Sequence, residues 1–158
     1  MFRYRPWLIS LLFGRVEYPK GDRGGNETCI RVTQSRQPMD LHRFWDGVIT
    51  SSSNVTRLRN AATEMRNRPG FAKSQLTELQ DTNADAWAKE SFDTATKIAY
   101  QNGGLTGSPR GGNKNCTTVE AAPAFPVRYV AIARRIANRR IILAGYRLAD
   151  LLTRVVGE

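Results

Sequence analysis

The feature that most constrains this chain is its C-terminal run from Val127 to Val156. Val130, Ala133, Ala137, Ile141, Ala144, Leu148, Leu151 and Val155 recur in steps of three and four, which trace one apolar stripe along a single long helix. Such a helix cannot bury its stripe alone, so the rest of the chain must supply surfaces for it. Arg134, Arg135, Arg139 and Arg140 fall mostly off the stripe, and we read them as a solvated helix face rather than a phosphate-binding ridge.

Upstream segments provide helical partners. Residues 84–99 carry Ala84, Trp87, Ala88, Ser91, Ala95, Ile98 and Ala99, small and apolar at helical spacing. Residues 54–68 predict a second helix, started by Ser52, Ser53 or Asn54 and stopped before Pro69-Gly70. Between Met39 and Ile49, Leu41, Trp45 and Val48 share one face of a third. Cys29-Ile30-Arg31-Val32-Thr33 alternates like a brief strand. Residues 100–126, rich in Gly, Asn, Pro and Ser, form a long connection, and loops of that length are often functional or tied by a cross-link. No internal repeat is visible.

The chain has 158 residues, 41% hydrophobic and 24% charged, the balance of one globular domain. Its formal net charge is +10, mostly from arginine, whose guanidinium groups fork onto phosphate oxygens. A polyanion partner and a merely cationic soluble protein both fit that charge. At the N-terminus, basic residues precede the apolar run Trp7-Leu8-Ile9-Ser10-Leu11-Leu12-Phe13. The pattern is signal-like, but no small-x-small cleavage site follows and the run is too short to span a membrane. We read it as a buried core helix.

Cys29 and Cys116 are the only cysteines and fit one disulfide or two free thiols; neither lies in a CxxC motif. Asn26, Asn54 and Asn115 head Asn-X-Ser/Thr triplets, which matter for glycosylation if the chain is exported. His42 is the only histidine, and Asp46 follows one helical turn later. That spacing lets an imidazole nitrogen and a carboxylate oxygen reach one zinc ion. It equally suits a hydrogen bond or a surface pair. No Ser-His-Asp or Cys-His arrangement, P-loop or dinucleotide fingerprint is present.

Four blocks carry a wider resemblance: Asp22-Arg23-Gly24-Gly25-Asn26, Leu41-His42-Arg43-Phe44-Trp45-Asp46, Trp87-Ala88-Lys89-Glu90-Ser91, and Ala144-Gly145-Tyr146-Arg147-Leu148-Ala149-Asp150-Leu151-Leu152. In this order they resemble the C-terminal half of the class I single-strand-specific zinc nucleases of the S1/P1 type. The resemblance implies a mainly α helical bundle, similar to the zinc-dependent bacterial phospholipases C, with one small β element near residues 28–34. It implies residues 22–158 as nuclease domain and 1–21 as a divergent segment. The activity implied is hydrolysis of single-stranded DNA or RNA and removal of 3′-phosphates from nucleotides, by a monomer that is secreted or periplasmic and not membrane-bound.

The family holds three zinc ions, and its LHxxWD block supplies one His and one Asp ligand. This carries over to His42 and Asp46. Asp40 stands where the family usually has Asn. Upstream, a family segment HxxGDxHQPLH supplies more ligands. Aligning Gly14 with its glycine and Pro19 with its proline puts Leu11, Arg15 and Glu17 at ligand positions, with the last His on a gap or Lys20. A cation at the bridging carboxylate position would repel zinc. The family's N-terminal half, with the amine that binds a zinc, has no counterpart here. The resemblance thus implies a zinc endonuclease fold with little or no activity, a non-catalytic nucleic-acid-binding remnant, or a truncated product without stable function. Export by the family makes a Cys29–Cys116 disulfide the expected pairing.

Overall fold

A computed structural model describes residue 18 and residues 21–50, 52–113 and 115–157. The apolar run at residues 7–13 and the positions Leu11, Arg15 and Glu17 lie outside these described residues.

Among the described residues, four helices and a small sheet make up the framework. The helices are α1 (Leu41–Gly47), α2 (Val55–Arg66), α3 (Ala84–Thr94) and α4 (Tyr129–Val156). The strands are β1 (Thr28–Ile30), β2 (Met39–Asp40) and β3 (Ser108–Pro109), with β1 central and antiparallel to both neighbours. The pairing Cys29↔Asp40 brings β2 alongside β1 and launches α1 directly from the sheet. Asp40 is the N-cap of α1, its Oδ1 accepting from the Arg43 N–H at 2.7 Å. A carboxylate oxygen at this position satisfies a first-turn N–H that would otherwise lack a partner.

The alternation at residues 29–33 overextends the strand. β1 ends at Ile30, because the Arg31 N–H donates to the Pro123 carbonyl and the Arg31 carbonyl accepts from Phe125 N–H, while its guanidinium donates to the carbonyls of Ala122, Arg36 and Glu120. Its backbone makes only a parallel bridge to Ala124. Likewise the 39–49 helix starts late, since Met39 and Asp40 are spent on β2.

Asn54 caps α2, its side-chain oxygen accepting from Arg57 N at 2.9 Å. Only Met65 of α2 is buried. Asn83 caps α3, which runs on through a π-helical turn at Ala95–Ala99 before Tyr100. The sequence-predicted helix over 84–99 is therefore one continuous element with a widened last turn. The 100–126 connection is mostly irregular, apart from β3 and short turns, and is tied down by the Cys29–Cys116 disulfide.

The main core joins Ile30 of β1, Leu41, Phe44 and Val48 of α1, Leu105 and Phe125 of the long connection, and Tyr129 and Ala133 of α4. Phe125 stacks on Tyr129 with centroids 4.2 Å apart, and Phe44 tilts against Phe125 at 4.5 Å. α4 has 28 residues, roughly 42 Å of helix at 1.5 Å per residue. Its N-terminal half packs into this core. Farther along, the stripe read from the sequence emerges into solvent: Ile141 is 52% exposed, Leu148 56% and Val155 76%. The face that packs is instead set by Leu143 and Arg147.

Candidate metal corner and its supporting clamp

The turn before β1 is built to hold His42. Arg23, Gly24 and Gly25 all have positive φ, so the chain doubles back tightly before the strand. Asp22 pins the base of this turn. Its carboxylate is buried and accepts from Thr28 Oγ1 at 3.1 Å and from the Tyr100 hydroxyl at 2.8 Å. Burial first, and then the Asp22 charge, push the Tyr100 hydroxyl well above its ordinary range. Gly25 abuts the start of α1: a Cβ there would sit 3.0 Å from the His42 nitrogen and 3.1 Å from Leu41 Cβ. The absence of a side chain lets the Gly25 carbonyl accept from the His42 N–H at 3.4 Å.

The imidazole is fixed by the same turn. His42 Nδ1 lies 3.1 Å from the Gly24 carbonyl oxygen, which can only accept, so Nδ1 carries the proton. Nε2 then faces Asp46 Oδ2 at 3.5 Å, with the two side chains 49% and 71% exposed. Two arrangements satisfy this approach. A protonated Nε2 makes an ion pair with Asp46; a bare Nε2 lone pair and the carboxylate converge on a shared cation. An imidazole oriented through its other nitrogen is the usual setting of a metal-binding histidine. The pair fits a cation as two ligands. Among the described residues no group of three His, Cys, Asp or Glu side chains could complete the site.

The other two sequence blocks meet each other between α3 and α4. Glu90 of α3 accepts from Arg147 at 2.8 and 2.9 Å and from Arg140 at 2.6 Å. Arg147 is 7% exposed and its guanidinium lies 4.8 Å from the centroid of the Trp87 ring. Ser91 Oγ accepts from Arg140 at 2.8 Å. One residue before Arg140 on α4, Arg139 forks onto both Glu78 oxygens at 2.7 Å. The Arg147 and Arg140 hydrogen bonds hold the Glu90 carboxyl below its usual range, and the Arg139 bond does the same for Glu78. The reading of Arg139 and Arg140 as a solvated face is therefore corrected. They tie α4 to α3 and to the segment before it, while Arg134 and Arg135 are exposed as expected.

Between the corner and the clamp runs an apolar groove of about 630 Å³, walled by α1, α3 and α4 and lined by His42, Trp45, Ala95, Ala137 and Ile141 among others. Trp45 leans on Tyr129, its Nε1 donating to the Tyr129 hydroxyl at 3.2 Å, and that hydroxyl donates to the Ala99 carbonyl at 2.7 Å. Burial pushes the Tyr129 hydroxyl up to about 12. The sequence reading missed this aromatic strut and the Glu90 clamp. Trp45, Trp87, Glu90 and Arg147 all stand in the four quoted blocks, but their partners lie tens of residues away.

At the other predicted positions, Cys29 and Cys116 form a disulfide with Cα atoms 5.4 Å apart. Asn26 donates its side-chain amide to the Arg23 carbonyl at 2.9 Å, so that nitrogen is engaged in the turn. Asn54 uses only its oxygen, in capping α2. Asn115 accepts from the Thr117 N–H and hydroxyl beside the disulfide.

The described chain is mainly helical, with a small three-stranded sheet tied to the long connection by a disulfide. The S1/P1 Nuclease family model matches residues 13–157, and the chain belongs to that family. No curated protein and no solved structure matches it. The match begins upstream of Asp22, within the segment that the sequence reading set apart as divergent. No helix among the described residues is long and apolar enough to cross a membrane.

Proposed function

We propose that this chain carries the scaffold of a zinc-dependent phosphodiesterase for single-stranded DNA or RNA, with phosphodiesterase activity near background. The observation that supports the scaffold reading is the His42–Asp46 corner, aligned by the Gly24 carbonyl and Gly25 turn. His42 and Asp46 would hold one zinc ion. Bound zinc would supply an acidified water and charge stabilisation at phosphorus. The chain's own contribution is to fix the imidazole tautomer and to present the carboxylate one turn away.

Low activity follows from the ligand count. Catalytic zinc normally has three protein ligands and an open position. The described residues supply two. Leu11 cannot ligate a metal, Arg15 adds positive charge, and only Glu17 of the three upstream positions offers a carboxylate. The test is incubation of labelled single-stranded DNA with the chain and zinc at mildly acidic and neutral pH. Turnover near background is expected, with zinc affinity weaker than micromolar by titration calorimetry. A submicromolar site, or turnover, that His42→Ala abolishes would show that other carboxylates rebuild the cluster.

A second reading rests on charge. Arg57, Arg59, Arg66 and Arg68 are exposed on and after α2 and make no ion pair with another described residue. A non-catalytic chain binding nucleic acid there would show affinity for single-stranded DNA that falls steeply with salt, without hydrolysis. Salt-insensitive or absent binding would eliminate it. Export, glycosylation at Asn26, Asn54 or Asn115, and a monomeric state are part of the proposal by family.

A further inference from the structure

Asp22 is only 2% exposed, yet among the described residues no lysine or arginine makes an ion pair with its carboxylate. Its two hydrogen bonds come from neutral hydroxyls, those of Thr28 and Tyr100, and both fall on Oδ2. A hydroxyl has one hydrogen to give, so neither donor can serve Oδ1 as well. Oδ1 is itself buried and has no hydrogen-bond partner. Buried charges are paired or coordinate a metal, and buried acceptors normally take a hydrogen bond. Asp22 departs from both rules.

The same carboxylate lines a small cavity of about 30 Å³, shared with Thr28 of β1 and with Tyr100, Gly103 and Gly107 of the long connection. Gly107 allows the connection to come this close, because a Cβ there would collide with Thr28 Cγ2. A water needs roughly 10–15 Å³ of such space, so the cavity admits a bare ion or one to two waters and no organic group.

We propose that this cavity binds one dehydrated monovalent metal cation, sodium or potassium, with Asp22 Oδ1 as its charged ligand. Charge selects the valence, since a single carboxylate is neutralised by a single positive charge. Size excludes magnesium, which keeps several of its waters, and calcium takes about six to eight oxygens, more than a cavity with one carboxylate offers. A water would donate to Oδ1 but leave the carboxylate without a counter-charge, which is the costly condition for a buried acid. The ion joins three stretches at one point: the base of the turn that follows Asp22, β1 and the long connection. That turn presents the Gly24 carbonyl to His42 Nδ1, so the cation steadies the imidazole without touching it, whether or not His42 holds zinc.

The experiment is thermal unfolding of the full chain, dialysed into tetramethylammonium chloride and then compared in sodium, potassium and tetramethylammonium chloride at equal ionic strength. Equal ionic strength cancels screening, and tetramethylammonium is too large for the cavity. A midpoint at least about 3 °C higher in sodium or potassium is expected, saturating with concentration, and the larger of the two shifts identifies the ion. Asp22→Asn, which keeps an acceptor for both hydroxyls, should lose that dependence. Equal midpoints in all three salts, or a shift that survives in a folded Asp22→Asn chain, would overturn the proposal. Crystals of the unsubstituted chain soaked in thallous nitrate give a readout that does not depend on how the variant folds. Thallous ion is a heavy monovalent stand-in, and its anomalous peak is expected beside Asp22 Oδ1. Water alone at that position, or a peak only elsewhere, would overturn the assignment.

Discussion

Glu90 is the single side chain on which the attachment of α3 to α4 most depends, and removing it has a calculable cost. Its carboxylate takes three hydrogen bonds from Arg147 and Arg140. Deleting one partner of a buried ion pair costs about 3–5 kcal/mol, because the other charge is left without compensation. Arg147 meets that condition, with an 8% exposed side chain; Glu90 and Arg140 are 25% and 27% exposed, so water partly screens them. For Glu90→Ala we therefore expect a loss of about 2–3 kcal/mol, slightly offset by the better helix propensity of alanine. Glu90→Gln keeps an acceptor but no charge and should lose about 1–2 kcal/mol.

Urea unfolding followed by helical circular dichroism and by tryptophan fluorescence measures both variants. Lys89→Ala, which removes an exposed pair with Asp93, serves as the surface control. The pH dependence gives a second signature. Glu90 is held below its usual value of 4.5 in the folded chain, so its contribution is present above that value and is lost as pH falls through the lower folded one. Glu90→Ala should flatten this part of the acid limb, leaving the parallel contribution of Glu78, depressed by Arg139. A Glu90→Ala loss no larger than that of Lys89→Ala, with an unchanged acid limb, would refute the clamp.

Two further outcomes follow from the turn and the cross-link. Replacing both Cys29 and Cys116 by Ala releases a constraint between residues 87 apart, worth about 4–5 kcal/mol in the chain-entropy model, and thermal unfolding should register it; two reactive thiols in the non-reduced, denatured chain would refute the bond. Gly25→Ala must adopt a φ of +92° and place its Cβ 3.0 Å from the His42 nitrogen. It should lose about 1–3 kcal/mol and disturb the His42 Nδ1–H tautomer in ¹⁵N-detected imidazole spectra, whereas unchanged stability and an unchanged spectrum would refute the role of that glycine.

Local patterns in the sequence exposed what local physics decides. Small residues every three or four positions mark 84–99 as a helix, and Asn54 stands where a side-chain oxygen caps a free N–H. Period alone could not say which stretch of α4 has a partner. The stripe through Ile141, Leu148 and Val155 is correct as a pattern, yet those residues are exposed, while charged Arg147 is buried by Glu90 and Trp87. The arginine assignment failed for the same reason. A helical wheel places Arg139 and Arg140 off the stripe, but their acids lie 61 and 50 residues away in sequence. At the candidate site, the His42–Asp46 spacing was legible as a possible corner. The choice of tautomer was not, since it depends on the Gly24 carbonyl 18 residues upstream.

The four blocks that carry the family resemblance divide into two physical tasks. Asp22–Asn26 and Leu41–Asp46 form one unit, in which a side-chain-free turn delivers a carbonyl to the imidazole. Trp87–Ser91 and Ala144–Leu152 form another, whose Glu90, Trp87 and Arg147 lock two helices together. The second unit links α3 to α4, the two helices that wall the groove beside His42. The first unit serves folding as well, because the Gly25 carbonyl satisfies an N–H at the start of α1 that would otherwise lack a partner. Both units therefore make contacts that hold the fold together, apart from any role in cutting a phosphodiester. The family match therefore informs on architecture more directly than on turnover.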